Sequence, residues 1–331
     1  MFPRFLVTTC VGIIFSWVAT SAPLMAAPAK LTNLRVGLPS QLSSNWPLYT
    51  AVKRGLFQEE GLSVELIVLR RSTLQIQAMI SEDIPLSQFS VDGAARAFTA
   101  GAPIRFIGSA QQKPAFRLIV DKEVKRWGDL KGKFLATGAP GGITYSMLLA
   151  MLDANGIKKD DVKLLSMGTS NDRSQALMAR RVQGTLLSAP DDFALLDEGF
   201  VSLGFVGEFV KELEYNGYIV NDNWAKRNRE ITISFMRVMV KATRWLHNPA
   251  NKDDAIKILA GYIPFKPKWL ESVYEMAIQN KMLSSDCRPA PKGIENTLEL
   301  SVKYGIGLTS IPAVNTWLDL SYLDSAMAST K

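Results

Sequence analysis

Apolar residues fall in short runs, separated by glycine, proline and polar clusters, and the spacing switches repeatedly between strand and helix periods. Residues 34–38 predict a first strand. Polar residues 41–45 follow, with Ser44 or Asn45 placed to cap a helix that carries Pro47 in its first turn and stops at Gly55. Residues 56–60 predict one more turn, closed by Gly61. Residues 62–69 read as a second strand, 74–81 as a helix, 84–89 as a third strand and 104–108 as a fourth. Asp92 is expected to cap a helix that ends near Gly101. This alternation predicts an α/β chain with a mostly parallel sheet, and such sheets bind ligands beyond the C-terminal strand ends. Three loops sit there: Ser43-Ser44-Asn45-Trp46, Arg70-Arg71-Ser72-Thr73 and Ser90-Val91-Asp92.

A second alternating set begins after a strand at 117–120 and a turn at 127–130. Residues 134–137 are a short apolar run, broken by Gly138-Ala139-Pro140-Gly141-Gly142. Tyr145, Leu148, Leu149 and Leu152 then share one helical face, and Gly156 is placed to end the helix. The first N–H groups of that helix lack partners inside it and carry partial positive charge. Gly141 and Gly142 allow close approach to the backbone, and Thr144 and Ser146 add hydroxyls, so the turn suits an anion or a polar ligand head. An ordinary strand-to-helix turn that holds nothing is the alternative. No Gly-Lys-Ser/Thr follows, and the glycines lack the Gly-x-Gly-x-x-Gly spacing, so neither nucleotide motif is present.

Beyond the turn, strands are predicted at 162–167 and 185–188. Residues 169–172 open a helix ending near Gly184, and Ala189-Pro190-Asp191-Asp192 opens a short helix to Glu198. Residues 218–220 read as a strand returning to the first set. From Arg229 the chain is mostly helical, at 231–246, 252–262, 267–282 and 293–304.

The 331-residue length allows two domains. Residues 1–29 differ from the rest: Arg4, an apolar run at 5–18, then small residues at 22–29, the pattern of a secretory signal peptide. The apolar run is short for a membrane span, which predicts no stable membrane insertion once the leader is cleaved. That leader holds Cys10, so the mature chain keeps only Cys287 and can form no internal disulfide. Formal net charge is +7, falling to about +6 without Arg4, and the charges are scattered, which argues against nucleic-acid binding.

Gly55-Leu56-Phe57-Gln58-Glu59-Glu60-Gly61-Leu62-Ser63-Val64 resembles the GLF-x-x-x-GL-x-V opening of the nitrate/sulfonate/taurine-type substrate-binding proteins of ABC importers, which share a fold with binders of thiamine-pyrimidine precursors. Asp129-Leu130-Lys131-Gly132-Lys133, followed by Gly141-Gly142-Ile143-Thr144-Tyr145, is similar to the opening of that family's second lobe. Ala189-Pro190-Asp191 stands where the family often carries a Trp-Asp-Pro-type loop. Two departures lie near the ligand: no Trp precedes Pro190, and the third-strand loop reads Gln88-Phe89-Ser90-Val91-Asp92-Gly93 rather than Asp-Phe-Gly. The resemblance implies a bilobal, type II-like periplasmic-binding-protein fold with two mixed, mostly parallel sheets and a ligand cleft between lobes. Lobe one would be 31–118 plus 220–331 and lobe two 119–219, with the hinge near Leu118 and Ile219. It further implies a monomer in the periplasm that captures a small organic solute, a sulfonate or carboxylate, and delivers it to an ABC permease and its ATPase. A neutral pyrimidine-like ligand, or a sensor role at a membrane receptor, are the alternatives.

Each candidate residue has a plainer role beside its ligand role. Arg70 or Arg71 can grip an anionic group with two donors, while at least one of them is a solvated surface residue. Trp46 can stack on a ring or belong to the core. Thr144 is a better ligand candidate than Tyr145, which also belongs to the apolar stripe. Asp191 can bind a cation or amine, or cap the next helix; Asp92 shares that ambiguity. Ser44, Asn45, Ser90, Gly141 and Gly142 complete the candidate set. His247, the only histidine, closes a long helix and suits its C-terminal end. With one histidine and one mature cysteine, a zinc site or a Cys/His pair has no second member. An enzyme of the related pyrimidine-synthase type, which needs a catalytic His and a cysteine-rich segment, is therefore not expected, and neither is a cofactor.

Overall fold

The computed structural model describes residues 31–329 except 211 and 306; the signal-peptide expectation lies outside these residues. Ten strands form two five-stranded sheets. The strands are β1 (Thr32–Leu38), β2 (Leu62–Val68), β3 (Leu86–Ser90), β4 (Ile104–Gln111), β5 (Phe116–Val120), β6 (Phe134–Thr137), β7 (Lys163–Ser166), β8 (Gly184–Ser188), β9 (Val201–Phe205) and β10 (Asn216–Asn221). The first sheet has the order β2-β1-β3-β10-β4 and the second β7-β6-β8-β5-β9.

Each sheet has four strands running one way and one reversed strand. In the first, β1 is parallel to β2 and β3, and β10 is antiparallel to both β3 and β4. In the second, β6 is parallel to β7 and β8, and β5 is antiparallel to both β8 and β9. The reversed strands are the two that arrive from the other sheet. β5 follows β4 after residues 112–115, and β10 follows residues 206–215. The two crossings lie side by side: the Tyr215 amide donates to the carbonyls of Gln111 (3.1 Å) and Gln112 (2.9 Å). Leu118 and Ile219 lie inside β5 and β10, a few residues beyond the crossings themselves.

Apolar clusters cover both faces of both sheets, as a mostly parallel sheet requires. Val36, Leu38 and Leu86 pack against the long helix Arg229–His247, through Phe235, Met236 and Met239. On the opposite face Phe89, Ile104 and Phe106 meet Ile294, Leu298 and Trp317. In the second sheet Leu118, Leu135 and Leu186 pack with Leu148 and Met151 of the helix Ile143–Ala154, while Ile119 and Leu187 pack with Leu177 and Leu195. The helix Pro291–Tyr304 touches both halves: Ile294 and Leu298 join the first sheet's core, and Leu300 joins the second's. Among the described residues no helix is long and apolar enough to cross a membrane.

Several local expectations are corrected. Ser90 caps the helix Val91–Thr99, its hydroxyl accepting from the Gly93 amide, and Asp92 is an internal residue of that helix. The helix Asp191–Asp197 has Pro190 at its cap position with no side-chain hydrogen bond, so Asp191 is not a cap. The 267–282 helix stops at Tyr274 and continues as a π-turn to Gln279. Strand β9 and the helix Ser321–Ala328 have no counterpart among the elements the pattern predicts.

A Cβ on Gly217 would strike the Gly108 carbonyl oxygen and the Phe106 ring where β10 meets β4. Gly217→Ala is expected to destabilise the fold by about 1–3 kcal/mol, read by urea unfolding. Gly128→Ala, where nothing lies within 4 Å of the new methyl, should stay within about 0.5 kcal/mol.

Candidate functional site

The C-terminal ends of four strands, two from each sheet, converge on a cavity of about 540 Å³. Ser40, Gln41 and Leu42 follow β1, and Val68 and Arg70 come from the end of β2. From the second sheet, residues 169–172 follow β7 and Asp191 follows β8. The connection 262–265 between the helices Lys252–Ala260 and Pro267–Tyr274 adds Tyr262 and Phe265 as an aromatic side. Tyr262 is held by a parallel stack on Tyr49, with ring centroids 3.9 Å apart.

The charged groups around the cavity are unevenly paired. Asp172 is engaged by its own helix: its carboxylate accepts from the Thr169 amide (2.7 Å) and hydroxyl (2.9 Å). Those bonds hold the Asp172 carboxyl below the usual range, with Arg70 adding a smaller effect. Arg173, almost fully buried, points its donors at backbone, with Nε and Nη2 on the Leu186 carbonyl and Nη1 on the Gly168 carbonyl. Burial pulls its guanidinium below its ordinary value. Arg117 is paired with buried Asp192 at 3.1 Å. Among the described residues, Asp191 has no ion-pair partner within 4.0 Å. Burial pushes its carboxyl up to about 6, Ser170 opposes with a hydrogen bond, and Asp192 adds repulsion. Asp191 is thus a half-buried carboxylate at the cavity, hydrogen-bonded by Ser170 and attracted by Arg173 but with no ion-pair contact.

The candidate residues from sequence are dispersed. Arg70 and Asp191 line the main cavity. Arg71 is exposed and does not line it. Ser44 is buried and lines a separate void of about 10 Å³ between the sheets, with Ser188 and Tyr215 among its neighbours; the Ser44 hydroxyl has no protein partner. Asn45 is buried and donates to the Ser40 carbonyl (2.7 Å) and the Tyr49 hydroxyl (3.0 Å), bracing the loop behind the wall. Trp46 is fully buried in the helical layer, with its indole donating to the Ala255 carbonyl (3.0 Å).

The glycine turn meets a protein cation. Arg96 donates to the Gly141 carbonyl and to Asp92, both at 2.6 Å, so the first sheet's helix Val91–Thr99 grips the second sheet's turn. Gly141 has φ +84°, which explains a glycine there. Gly142 is the cap residue of the helix Ile143–Ala154, Thr144 lies against Gly138, and Tyr145 is packed in the second sheet's core. In the sequence, residues 169–172 read as a helix start in which Asp172 can pair with Arg173 rather than meet a ligand, residue 262 reads as a helix end, and 263–265 belong to no predicted element. The capping pattern Thr169-x-x-Asp172 is a signal for the first; nothing local marks the second.

His247 donates from Nδ1 to the Thr243 carbonyl (2.8 Å) at the end of the long helix. Cys287 is fully buried, and burial pushes its thiol up to about 12, far from a nucleophile's range.

A family model described as NMT1/THI5 like matches residues 43–252. YtlA of Bacillus subtilis is 25% identical over 257 residues, 75% of this chain and 76% of that protein. The formylaminopyrimidine-binding protein of Halalkalibacterium halodurans is 25% identical over 219 residues, 64% of each chain. Among solved structures, the alkanesulfonate-binding protein SsuA from Xanthomonas axonopodis pv. citri, bound to MOPS, superposes with a TM-score of 0.71 at 20% identity, over 89% of this chain and 99% of that one. The fold is also that of an enzyme: the desulfurization enzyme DszB, as a mutant in complex with biphenyl-2-sulfinic acid, has a TM-score of 0.66 at 14% identity over 89% of this chain and 99% of that one.

Because the folded state raises the Asp191 carboxyl, it binds that proton more tightly than the unfolded chain does. Stability from this group is therefore present at low pH and lost as pH rises from about 4 through about 6. Asp191→Asn is expected to stabilise the unliganded protein at pH 7.5 by on the order of 1–3 kcal/mol, seen as a melting temperature higher by a few degrees, with the gain gone at pH 4.

Proposed function

The chain belongs to the NMT1/THI5-like family, and from that premise we propose that it is an extracytoplasmic solute-binding protein. It captures one small organic molecule between two lobes and delivers it to an ABC permease with its ATPase. The lobes are 31–118 with 220–331, and 119–219, and they turn about the paired crossings at 112–115 and 206–215. Residues 1–29 act as the signal peptide, and the mature protein works in the periplasm as a monomer without chemistry of its own. The observation that carries this reading is the cavity built from the C-terminal ends of two strands of each sheet. A site shared this way closes when the halves approach, and a solute favours closure by its extra contacts in that state. The inert Cys287 and the structural His247 support binding rather than turnover.

Asp191 favours a solute that donates hydrogen bonds, because it is a half-buried carboxylate at the cavity with no ion pair and with oxygen lone pairs free beyond the Ser170 bond. An amino-substituted heterocycle supplies N–H groups to Asp191 and a flat face to Tyr262 and Phe265. The name of the Halalkalibacterium halodurans relative points the same way. A sulfonate or carboxylate is the second reading. It rests on Arg70 at the lip of the cavity and on the SsuA-like fold.

A melting-temperature screen of aminopyrimidines, alkanesulfonates, aromatic carboxylates and nitrate separates the two. A solute at a hundredfold its Kd stabilises the folded protein by roughly 2.7 kcal/mol. Aminopyrimidines should raise the melting temperature, and a response to sulfonates alone would overturn the Asp191 assignment. For a solute whose own charge is constant over the range, affinity should fall about tenfold between pH 7.5 and pH 5 as Asp191 takes up a proton. Calorimetry on Asp191→Asn should show weak binding with that slope removed.

A further inference from the structure

The helix Asp191–Asp197 has one end in the cavity wall and the other at the molecular surface. At the surface end, the Asp197 carboxylate accepts from the Trp269 indole Nε1 at 2.9 Å and pairs with the Lys268 ammonium. Both partners belong to the helix Pro267–Tyr274, which follows directly on the cavity residues 262–265. The Phe265 ring, in the cavity wall, meets the Trp269 ring edge-on with centroids 6.0 Å apart. The helix Asp191–Asp197 thus joins the cavity to this contact by its two ends, and the segment 262–269 does so by its loop and the first turn of the helix that follows.

We propose that Asp197 is a positioning residue: with Lys268 and Trp269 it forms a latch that holds the two cavity walls closed on the solute. The proposal rests on the lobe-closure reading above. The latch lies outside the cavity, so it acts on how long a solute stays rather than on which solute is chosen. An indole N–H and an ammonium sharing one carboxylate fix two directions at once, which a lone surface ion pair does not. Lys268 holds the Asp197 carboxyl below the usual carboxylate range, with burial opposing and Trp269 and Lys266 assisting. The latch therefore stays charged at pH 5, where Asp191 does not, and its effect is separable from that of Asp191 by pH. Of the other contacts between the halves, Ser43 Oγ donates to the Ala189 carbonyl (3.0 Å) and Arg96 to the Gly141 carbonyl, both ending on backbone, while the Asp153 carboxylate accepts from the Tyr304 hydroxyl (2.5 Å) and the Lys303 ammonium (3.2 Å) on elements that do not line the cavity.

The test uses the mature chain with spin labels at Thr73→Cys and Gln175→Cys. These exposed positions each lie about one helical turn from a cavity residue, one on either side of the cavity mouth. The Cys287 thiol is buried and escapes labelling. Distances are measured without solute, so the outcome does not depend on identifying the ligand. The unsubstituted latch should give a predominant short distance. Asp197→Ala, and separately Lys268→Gln with Trp269→Phe, should cut the short-distance population at least threefold, with the melting temperature unchanged within about a degree. Asp197→Glu should restore most of it. An unchanged distance distribution in both latch variants overturns the proposal, as does a change that appears only together with a lowered melting temperature. A solute screen in which nothing binds would count against the transport reading and leave this result standing on its own.

Discussion

The structure depends on a constraint of chain path: each sheet takes in one strand delivered by the other. β5 and β10 enter against the direction of their neighbours, and each is hydrogen-bonded on both edges. A reversed strand in the middle of a sheet returns the chain to the end from which it came. Both crossings therefore leave from the same side of the molecule, where Tyr215 joins them through Gln111 and Gln112. With the crossings paired there, the remaining C-terminal strand ends of the two sheets must face each other. The cavity is the consequence of that topology, before any side chain is chosen.

Side chains then decide what the cavity can hold. Buried charge is costly unless paired, and the pairing is nearly complete around the cleft. Arg117 answers Asp192, Arg96 answers Asp92, and Arg173 is saturated by backbone carbonyls. These groups fix the walls and leave little for a guest. Asp191 is the exception: it has no ion pair, and burial lifts its carboxyl value despite a hydrogen bond from Ser170 and the attraction of Arg173. Glu214, beside the crossing, is different. It is pushed up to about 8 by burial, yet both its oxygens are used, by the Ser109 hydroxyl and the Ala290 amide, and it belongs to the framework of the crossing.

Much of the fold was legible because its signals are local. β6 stands at the predicted residues, and Gly55, Gly61 and Gly156 all adopt the positive φ expected of chain-stopping glycines. The family resemblance rested on such features and is supported by the family match over 43–252. The site was less legible for a physical reason. Whether Trp46 faces a ligand or a core depends on Ala255 and Tyr274, more than two hundred residues away. The glycine turn has the anion-cradle pattern, but Arg96 from another layer occupies its Gly141 carbonyl. Residues 262–265 gain their place only because a helix pair far along the chain folds back over the strand ends. Local spacing cannot report partners of that kind.

The central claim is that one solute is held by both halves at once. Hydrogen–deuterium exchange, with and without an aminopyrimidine that raises the melting temperature, tests it most directly. The account predicts that amides at 40–42, 169–172 and 262–265 slow together on binding, while exchange in the long helix Arg229–His247 stays as it was. Protection confined to the segments of one sheet would contradict it.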